Sequence, residues 1–557
     1  MMSIPRHHNL LLEYFNGTIT VDGNVIAPFE SGGPLLRFGY QVLAGASEAK
    51  GQKDEIWVGR DEAEVCVDTS SFMTDPLFYC HKGDRLFISN SVYRLSRDLL
   101  DRKFQLELDR IAFFETLLFD YPLRERTLFK CVHKMLPGKR YRFDLTTGSV
   151  QIEDTFLLPF HNGRSVRDEK SLLRDAKDIL SSLITPETAI DGASVLLPLS
   201  GGLDSRLLAC LLRRQGIDFT AAVFGPPEST ERLVARKVVR GLGIELQEMP
   251  LPNAYYKTYG DEVTRLTAGL SNHRHCHLYA ALKANDLKAD VIFHGYLGGE
   301  YAGAAQKSVG QRYNLSPEAA LEQFVQAHVQ NTFIWGVLSE SDRQQILADL
   351  REIMEECCRV NLPCHFDEYV HNVERQFGLI ANVFGVCEEF GRLVRPFANE
   401  DYAVFFNTLP YFYRHDRYLF RKACRELFAR PFAIGTQSQL YARDTLAGQT
   451  EAVVSRLASV ASFGSFVATR SRFVLPNPKG CERHRQVLFG VLRTDFLRAL
   501  DGMSDLIGID LTPLGQINLR NRSELTSQFR VLSADLVRRE FLKGTNDIHS
   551  TSELVVR

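Results

Sequence analysis

Three features are scarce in this sequence: excess charge of one sign, long apolar runs and paired cysteines. The 66 lysine and arginine residues nearly balance the 68 aspartate and glutamate residues, giving a formal net charge of -2. This balance disfavours a nucleic-acid partner, whose phosphates are bound mainly by basic side chains. No stretch approaches the roughly 18 uncharged apolar residues that a membrane span needs. The amino-terminal segment has a run of only three leucines, which predicts no secretory signal and no membrane partner.

The 11 cysteines are scattered and contain no C-x-x-C pair. Cys357 and Cys358 are adjacent, a spacing unsuited to a tetrahedral metal site or an ordinary disulfide. This usage predicts a reduced, cytoplasmic protein without structural zinc.

The length of 557 residues predicts two or three domains. Residues 1–160 contain short apolar runs separated by turn residues, which is typical of a mostly β region. A polar stretch and an amphipathic helix follow over residues 161–186. We therefore expect one domain over residues 1–165 and another over residues 166–557, with a helical tail at the carboxyl end.

The most informative stretch lies early in the second domain. The apolar run 195–199 breaks at Ser200-Gly201-Gly202, and apolar residues with helical spacing follow from Leu203. This pattern predicts a buried strand, a tight turn and a helix. Glycine lets a backbone approach an anion closely, and the amides at a helix amino terminus favour negative charge. The loop lacks the Gly-Lys-Ser/Thr ending of a Walker loop, and an ordinary glycine turn is the alternative interpretation.

Ser200–Ser205 has the sequence Ser-Gly-Gly-Leu-Asp-Ser and resembles the pyrophosphate loop of ATP pyrophosphatases, which cleave ATP between the α- and β-phosphates. Residues 127–138, TLFKCVHKMLPG, resemble the end of the amino-terminal domain of asparagine synthetases. That resemblance implies an α/β protein. Its amino-terminal domain would be a class II amidotransferase-like αββα sandwich. A doubly wound parallel-sheet ATP-pyrophosphatase (PP-loop) domain with a helical carboxyl-terminal extension would follow.

The resemblance also implies ATP and Mg²⁺ as cofactors, with Asp204 as a metal ligand. The residues that it places around the nucleotide are Leu199, Ser200, Gly201, Gly202, Leu203, Asp204, Ser205, Arg206, Phe224, Gly225 and Gly295.

One departure from the family concerns nitrogen supply. The glutaminase reaction of asparagine synthetases needs an amino-terminal cysteine as nucleophile, whereas this chain begins Met1-Met2-Ser3 and has its first cysteine at Cys66. We expect a domain that keeps the fold and has lost ammonia production from glutamine. β-Lactam synthetases, carbapenam synthetases and some lasso-peptide cyclases in the same superfamily also lack this cysteine.

A second departure follows the predicted strand that ends at Gly295. Asparagine synthetases have a catalytic glutamate and then a metal-binding aspartate here, and β-lactam synthetases have a tyrosine in place of the glutamate. By this resemblance Tyr296 accepts the amine proton, Gly299 occupies the aspartate position, and the neighbouring Glu300 is a second metal ligand. The alternative is a glycine-rich strand end without a role.

Residues 388–424 resemble a further family segment that contributes a glutamate to the reacting centre. Glu388 and Glu389 are the expected proton-transfer partners of Tyr296 there, and Lys479 is the expected counterpart of the family's catalytic lysine. The histidines in residues 271–277 are interpreted as a solvated turn or a turn near the substrate, and not as a transition-metal site.

Together these features predict an ATP-dependent, glutamine-independent ligase of the asparagine synthetase type. It would adenylate an unidentified carboxylate and couple it to an amine, and the family is compatible with a homodimer. The alternative is a catalytically degenerate member that binds nucleotide or a partner protein. A tRNA-thiolating pyrophosphatase is disfavoured by the neutral charge and the missing cysteine pairs.

Overall fold

A computed structural model describes most of the chain, with gaps. The described residues are 11–15, 18–21, 24–26, 36–39, 53–58, 64–72, 74–162, 167–185, 192–225, 229–251, 255–304, 313–436, a few positions between 446 and 457, 492–515 and 522–542.

Sixteen strands are found in these residues. They are β1 (Leu11–Phe15), β2 (Thr18–Val21), β3 (Asn24–Ile26), β4 (Leu36–Gly39), β5 (Lys53–Val58), β6 (Glu64–Asp68), β7 (Phe78–Lys82), β8 (Arg85–Ser89), β9 (His133–Lys134), β10 (Lys139–Asp144), β11 (Ser149–Asp154), β12 (Val195–Pro198), β13 (Thr220–Phe224), β14 (Leu246–Met249), β15 (Val291–Phe293) and β16 (Arg392–Val394).

The α-helices of the described residues fall mostly after β11. They are α1 (Val92–Asp101), α2 (Arg110–Phe119), α3 (Glu169–Ser182), α4 (Leu203–Arg214), α5 (Thr230–Leu242), α6 (Tyr255–Leu266), α7 (His277–Ala284), α8 (Pro317–His328), α9 (Phe333–Val337), α10 (Glu340–Cys358), α11 (Phe366–Tyr369), α12 (Ala381–Cys387), α13 (Glu400–Asn407), α14 (Tyr411–Arg414), α15 (Tyr418–Leu427), α16 (Ala429–Phe432), α17 (Arg493–Ile507) and α18 (Arg522–Phe541). Wider, π-helical turns occur at Glu300–Ala304, Val370–Glu374 and Gln376–Ile380. No helix in the described part of the chain is both long enough and apolar enough to cross a membrane.

The amino-terminal region contains two antiparallel sheets that pack face to face. Strand order is β3-β2-β1-β8-β7-β9 in one sheet and β11-β10-β6-β5-β4 in the other. Alternation along β10 points Tyr141 and Phe143 inward, and the Phe143 ring meets the Tyr79 ring of β7 with centroids 5.1 Å apart. Helix α1 contacts β7 and β8, whereas Arg140 and Asp68 form a charged pair on the other face of the second sheet. The described residues therefore show two packed antiparallel sheets with a helix against the first of them, and the four-layer sandwich stays a prediction.

The second sheet system is parallel, as predicted. Its order is β14-β13-β12-β15-β16. The chain therefore passes from β12 to β13 and β14 on one side, and then adds β15 and β16 on the other side of β12. Strand order thus reverses between β12 and β15, and the carboxyl ends of strands at such a reversal form a crevice. The Ser-Gly-Gly loop follows β12 and lies at this point.

Charged contacts join the amino-terminal region to the helices that follow the parallel sheet. Glu356 of α10 is buried and accepts hydrogen bonds from Lys139 Nζ at 2.7 Å and from Arg124 Nη1 at 3.0 Å. Although burial alone would raise it, Arg124 and Lys139 hold the pKa of Glu356 at about 2. The two regions are therefore joined by buried ion pairs as well as by apolar packing.

Candidate active site

The turn between β12 and α4 depends on glycine. All four residues of β12 are buried, and the chain then turns through Gly201 with φ +69°. A Cβ at this position would lie 3.0 Å from Val234 Cγ1 and 3.1 Å from the Glu231 carbonyl oxygen. Both the backbone conformation and the close approach of α5 therefore require glycine.

The same turn leaves the start of α4 available to an anion. Gly202 is the amino-terminal cap, and no side chain of the described residues caps the helix there. Ser200 Oγ accepts a hydrogen bond from Gly202 N at 3.3 Å and lies 3.4 Å from Ser205 Oγ. Backbone amides and two hydroxyls therefore meet at the positive end of a helix dipole.

This helix start opens into a cavity of about 440 Å³. The expected site residues that line it are Leu199, Ser200, Gly202, Leu203, Asp204, Ser205, Phe224, Gly295 and Glu300. They come from the ends of β12, β13 and β15, which only the parallel sheet brings together.

The charged end of the cavity contains Asp204, Glu300 and Arg417, and Glu231 also lines the cavity. Arg417 Nη1 lies 3.3 Å from both carboxylate oxygens of Asp204. Burial raises the pKa of Asp204, and Arg417 opposes this shift. Burial also raises the pKa of Glu300, and the nearby Asp204 carboxylate adds to the increase. Arg417 at Asp204, and Arg375 and Arg417 at Glu300, oppose these shifts without reversing them.

Glycines pack the turn after β15 directly onto Asp204. A Cβ at Gly295 or Gly298 would lie 3.1 or 3.0 Å from Asp204 Cβ, and a Cβ at Gly299 would lie 3.3 Å from Asp204 Oδ2. Glu300 follows at the start of a π-helical turn. This close packing brings the Glu300 carboxylate near that of Asp204.

The acidic pair fits a magnesium ion better than a transition metal. No group of three or more histidine, cysteine, aspartate or glutamate side chains within the described ranges is arranged to hold a metal. Mg²⁺ commonly takes only one or two protein carboxylates and completes its shell with water and phosphate oxygens. Asp204 and Glu300 can supply such a set, and burial raises the pKa of both carboxyl groups.

Arg417 reaches the cavity from an unusual backbone. Asp416 and Arg417 are consecutive non-glycine residues with φ of +48° and +56°, a conformation that costs free energy. It turns the chain from α14 into α15 and directs Arg417 towards Asp204. Arg417 is 213 residues from Asp204 in sequence, which explains why it was not predicted as a site residue.

Three histidines also line the cavity: His275, His277 and His294. The His277 ring stacks on Phe224 with centroids 6.4 Å apart, and the His294 ring contacts Phe384 at 4.3 Å. Burial lowers the pKa of His277 to about 4 and that of His294 to about 3. Both rings are therefore uncharged at neutral pH. The histidine-rich sequence at residues 271–277 indicated His275 and His277, whereas His294 directly follows the end of β15.

Tyr296 does not reach the cavity, although its neighbour Gly295 does. Its side chain is buried, its hydroxyl donates a hydrogen bond to the Gln376 carbonyl oxygen at 3.1 Å, and its ring packs on Phe384. Burial raises the pKa of the Tyr296 hydroxyl well above its ordinary range. The structure thus places Tyr296 in the core and outside the residues that line the cavity, and its role as proton acceptor stays a prediction.

Glu388 and Glu389 also lie away from the cavity. Glu388 is buried in an ion pair with Arg395, at 3.1 Å, and Arg395 in turn pairs with Asp75 of the amino-terminal region. Glu389 Oε1 lies 3.7 Å from Lys283 Nζ. Neither carboxylate is placed to act with Tyr296. Lys479 lies outside the described residues.

Arg206 stabilises the loop without lining the cavity. Its guanidinium group is buried and donates hydrogen bonds to the carbonyl oxygens of Gly201, at 2.7 Å, of Pro431 and Ile434, at 3.1 Å each, and of Gly435. It therefore joins the loop to the segment after α15 and does not line the cavity. Gly201 and Gly225 likewise contribute backbone shape without being lining residues.

Comparison with known proteins identifies the class. Residues 189–355 match the family model described as Asparagine synthase. This span includes the loop, the ends of β12, β13 and β15, and Glu300, and it ends before Arg417. The chain therefore contains an asparagine synthetase-like domain, which confirms the resemblance carried by Ser200–Ser205.

Other comparisons add little. A solved structure, NMN synthetase from Francisella tularensis, is similar to 40% of this chain and 95% of its own, with 12% identity and a TM-score of 0.18. At that score the likeness does not define the fold. No curated protein matches the chain.

Proposed function

We propose that this protein is an ATP-dependent carbon–nitrogen ligase that activates a carboxylate as an acyl-adenylate, releases pyrophosphate, and couples the acyl group to an amine. The observation that supports this most directly is the Ser200–Ser205 loop. Its uncapped helix start faces a cavity at the reversal point of a parallel sheet, inside a span that matches the Asparagine synthase family.

The charged end of the cavity suits a departing pyrophosphate. Loop amides, the hydroxyls of Ser200 and Ser205, and the guanidinium group of Arg417 all favour negative charge there. Asp204 and Glu300 are the residues that would hold Mg²⁺, which when bound neutralises phosphate charge. Because Arg417 already pairs with Asp204, its guanidinium group is positioned to transfer to a phosphate oxygen when the carboxylate binds a cation.

The proposed reaction has two steps. A carboxylate oxygen of the acid attacks the α-phosphorus of ATP, and the bond to the β-phosphate oxygen breaks to release pyrophosphate. The amine nitrogen then attacks the acyl carbon, the bond to AMP breaks, and the nitrogen loses a proton. The protein holds both reactants in one cavity, so that the second step follows without loss of the intermediate to water.

The amino-terminal region is proposed to be an amidotransferase-like domain without glutaminase activity. Its paired antiparallel sheets support the assignment of an amidotransferase-like fold. The amine is proposed to come from solution and not from glutamine.

The test uses the full-length protein, ATP, Mg²⁺ and a panel of carboxylic acids, with hydroxylamine as a general trapping nucleophile. Acid-dependent formation of AMP and pyrophosphate is expected. Asp204→Asn should abolish it, whereas Asp218→Asn, at an exposed position after α4, should not. ADP as the only nucleotide product would refute the proposal.

The second candidate function is a degenerate nucleotide-binding protein. Two observations favour it: Gly299 lies where asparagine synthetases have a metal-binding aspartate, and Tyr296 is buried away from the cavity. On this account ATP binds, Asp204→Asn alters its affinity, and no acid leads to AMP.

A further inference from the structure

A buried carboxylate connects three parts of the chain beside the cavity. Asp120 ends α2 in the left-handed conformation, with φ +79°. Its carboxylate accepts hydrogen bonds from Asn272 Nδ2 at 2.9 Å and from Arg530 Nε of α18 at 2.6 Å. On the same carboxylate, Oδ2 lies 3.4 Å from His275 Nε2. Asp120 thus links the amino-terminal region, the carboxyl-terminal helix and a histidine that lines the cavity.

This contact fixes the orientation of the His275 ring. A carboxylate only accepts hydrogen bonds when ionised, so Nε2 carries the proton and Nδ1 is the basic nitrogen. Burial opposes the ionisation of Asp120, but Arg530, followed by His275 and Arg274, outweighs burial and holds the pKa of Asp120 below its ordinary range. Because His275 lines the cavity, Nδ1 is the ring nitrogen left for a molecule bound there.

The reaction needs such a group. The attacking amine becomes positively charged and must lose a proton for the amide to form. The predicted acceptor, Tyr296, already donates its hydroxyl proton to the Gln376 carbonyl oxygen. His275 is a cavity-lining residue with a basic nitrogen and an orienting carboxylate, the arrangement commonly found in general bases.

We propose that His275, oriented by Asp120, accepts the proton of the attacking amine in the amide-forming step. This inference rests on the ligase function proposed above. As the nitrogen–carbon bond forms, the carbon–oxygen bond to AMP breaks and its electron pair leaves with the phosphate. The nitrogen-bound proton moves to His275 Nδ1, which gives an imidazolium ion stabilised by Asp120. Asp120 is a positioning residue and His275 the catalytic residue.

Several charges act on the His275 ring. Burial lowers the pKa of His275, Asp120 raises it, and Arg274 and Arg375 lower it. His277 also lines the cavity, and burial lowers its pKa to about 4. The net result is a neutral imidazole at pH 7, which is the form that can accept a proton. The amide-forming step should therefore weaken as pH falls through the His275 pKa.

The first test separates the two half-reactions in the full-length protein. Acid-dependent exchange of labelled pyrophosphate into ATP measures adenylation. The acid that hydroxylamine trapping identifies is then supplied with n-propylamine, and the amide produced measures the second step. His275→Gln should retain exchange within about threefold and lose amide formation by about 10²-fold or more. His328→Gln, on α8 outside the cavity, is the control. Added imidazole should restore amide formation to His275→Ala.

The second test needs no substrate. Nitrogen-15 NMR of labelled histidine, with the His275 resonance assigned through His275→Gln, should show the Nε2–H tautomer at neutral pH, and Asp120→Asn should shift it towards Nδ1–H. An Nδ1–H tautomer in the unaltered protein would overturn the inference, as would equal losses in both half-reactions or no loss in either. If the unaltered protein forms no AMP with any acid, the ligase function itself is refuted, and the inference with it.

Discussion

Replacing Gly299 by aspartate tests the metal site without any knowledge of the substrate. The backbone at Gly299 lies outside the left-handed region, and a Cβ there would lie 3.3 Å from Asp204 Oδ2 and 3.4 Å from Arg417 Nη1. A Cβ at this position therefore fits with an adjustment of a few tenths of an ångström. It would add a carboxylate beside Asp204 and Glu300.

The expected energies follow from that spacing. Two unit charges about 5 Å apart repel by about 3 kcal/mol at an effective dielectric constant of about 20. Attraction to Arg417 offsets the repulsion from only one of the two carboxylates, so Gly299→Asp should lower the free energy of unfolding by about 3 kcal/mol when Mg²⁺ is absent. A bound Mg²⁺ turns the repulsion into ligation, and its affinity should rise about tenfold, corresponding to about 1.4 kcal/mol.

Calorimetric titration of Mg²⁺ into the unaltered protein, Gly299→Asp and Gly299→Asn gives the comparison. Asparagine has nearly the same shape as aspartate but no charge, so it controls for the packing of the added side chain. Equal Mg²⁺ affinities for the aspartate and asparagine variants would refute the placement of the metal beside Asp204.

Further predictions concern single side chains and nitrogen supply. Glu300→Gln should raise the Mg²⁺ concentration needed for half-maximal ATP binding, measured by titration; an unchanged requirement would remove Glu300 from the metal site. Glu356→Gln should lower the free energy of unfolding at pH 7 by about 3 kcal/mol, because the pKa of Glu356 is lowered from 4.5 to about 2. That difference should shrink as pH falls from about 5 to 2, whereas exposed Glu355→Gln should show neither effect in urea titrations. Arg206→Met should destabilise the protein by about 3 kcal/mol, since buried carbonyl groups lose their donor; an unaltered melting temperature would contradict this. Glutamate should not be released from glutamine by the purified protein.

The local order of the chain around the loop could be predicted from sequence. An apolar run, two glycines and a helical repeat specify β12, the turn and α4 because each depends on neighbouring residues only. The alternation of strands and helices along the chain also predicted a parallel sheet, because a helix that joins two strands allows them to run in the same direction. Most cofactor-binding residues expected from the family motif, including Asp204 and Gly295, then meet in one cavity.

The contacts that residues distant in sequence make around the cavity could not be predicted. Arg417 meets Asp204 only through the left-handed turn after α14, and Phe384 meets His294 only through helix packing. Tyr296 was expected in the site from its place after β15, but packing against Phe384 turns its side chain into the core. Glu388 was likewise assigned by alignment, whereas Arg395 holds it in a buried ion pair. The position of a residue in the sequence predicts which strand, turn or helix it belongs to, whereas tertiary contacts determine the direction of its side chain.

Transfer of isotopic oxygen from the acid tests the central claim most directly. The full-length protein is incubated with ATP, Mg²⁺, hydroxylamine and an accepted acid carrying oxygen-18 in its carboxylate, and the nucleotide and phosphate products are resolved by mass spectrometry. Because a carboxylate oxygen becomes bonded to the α-phosphorus, AMP should gain one oxygen-18 atom and pyrophosphate none. Unlabelled AMP, or labelled inorganic phosphate together with ADP, would contradict carboxylate adenylation at the Ser200–Ser205 loop.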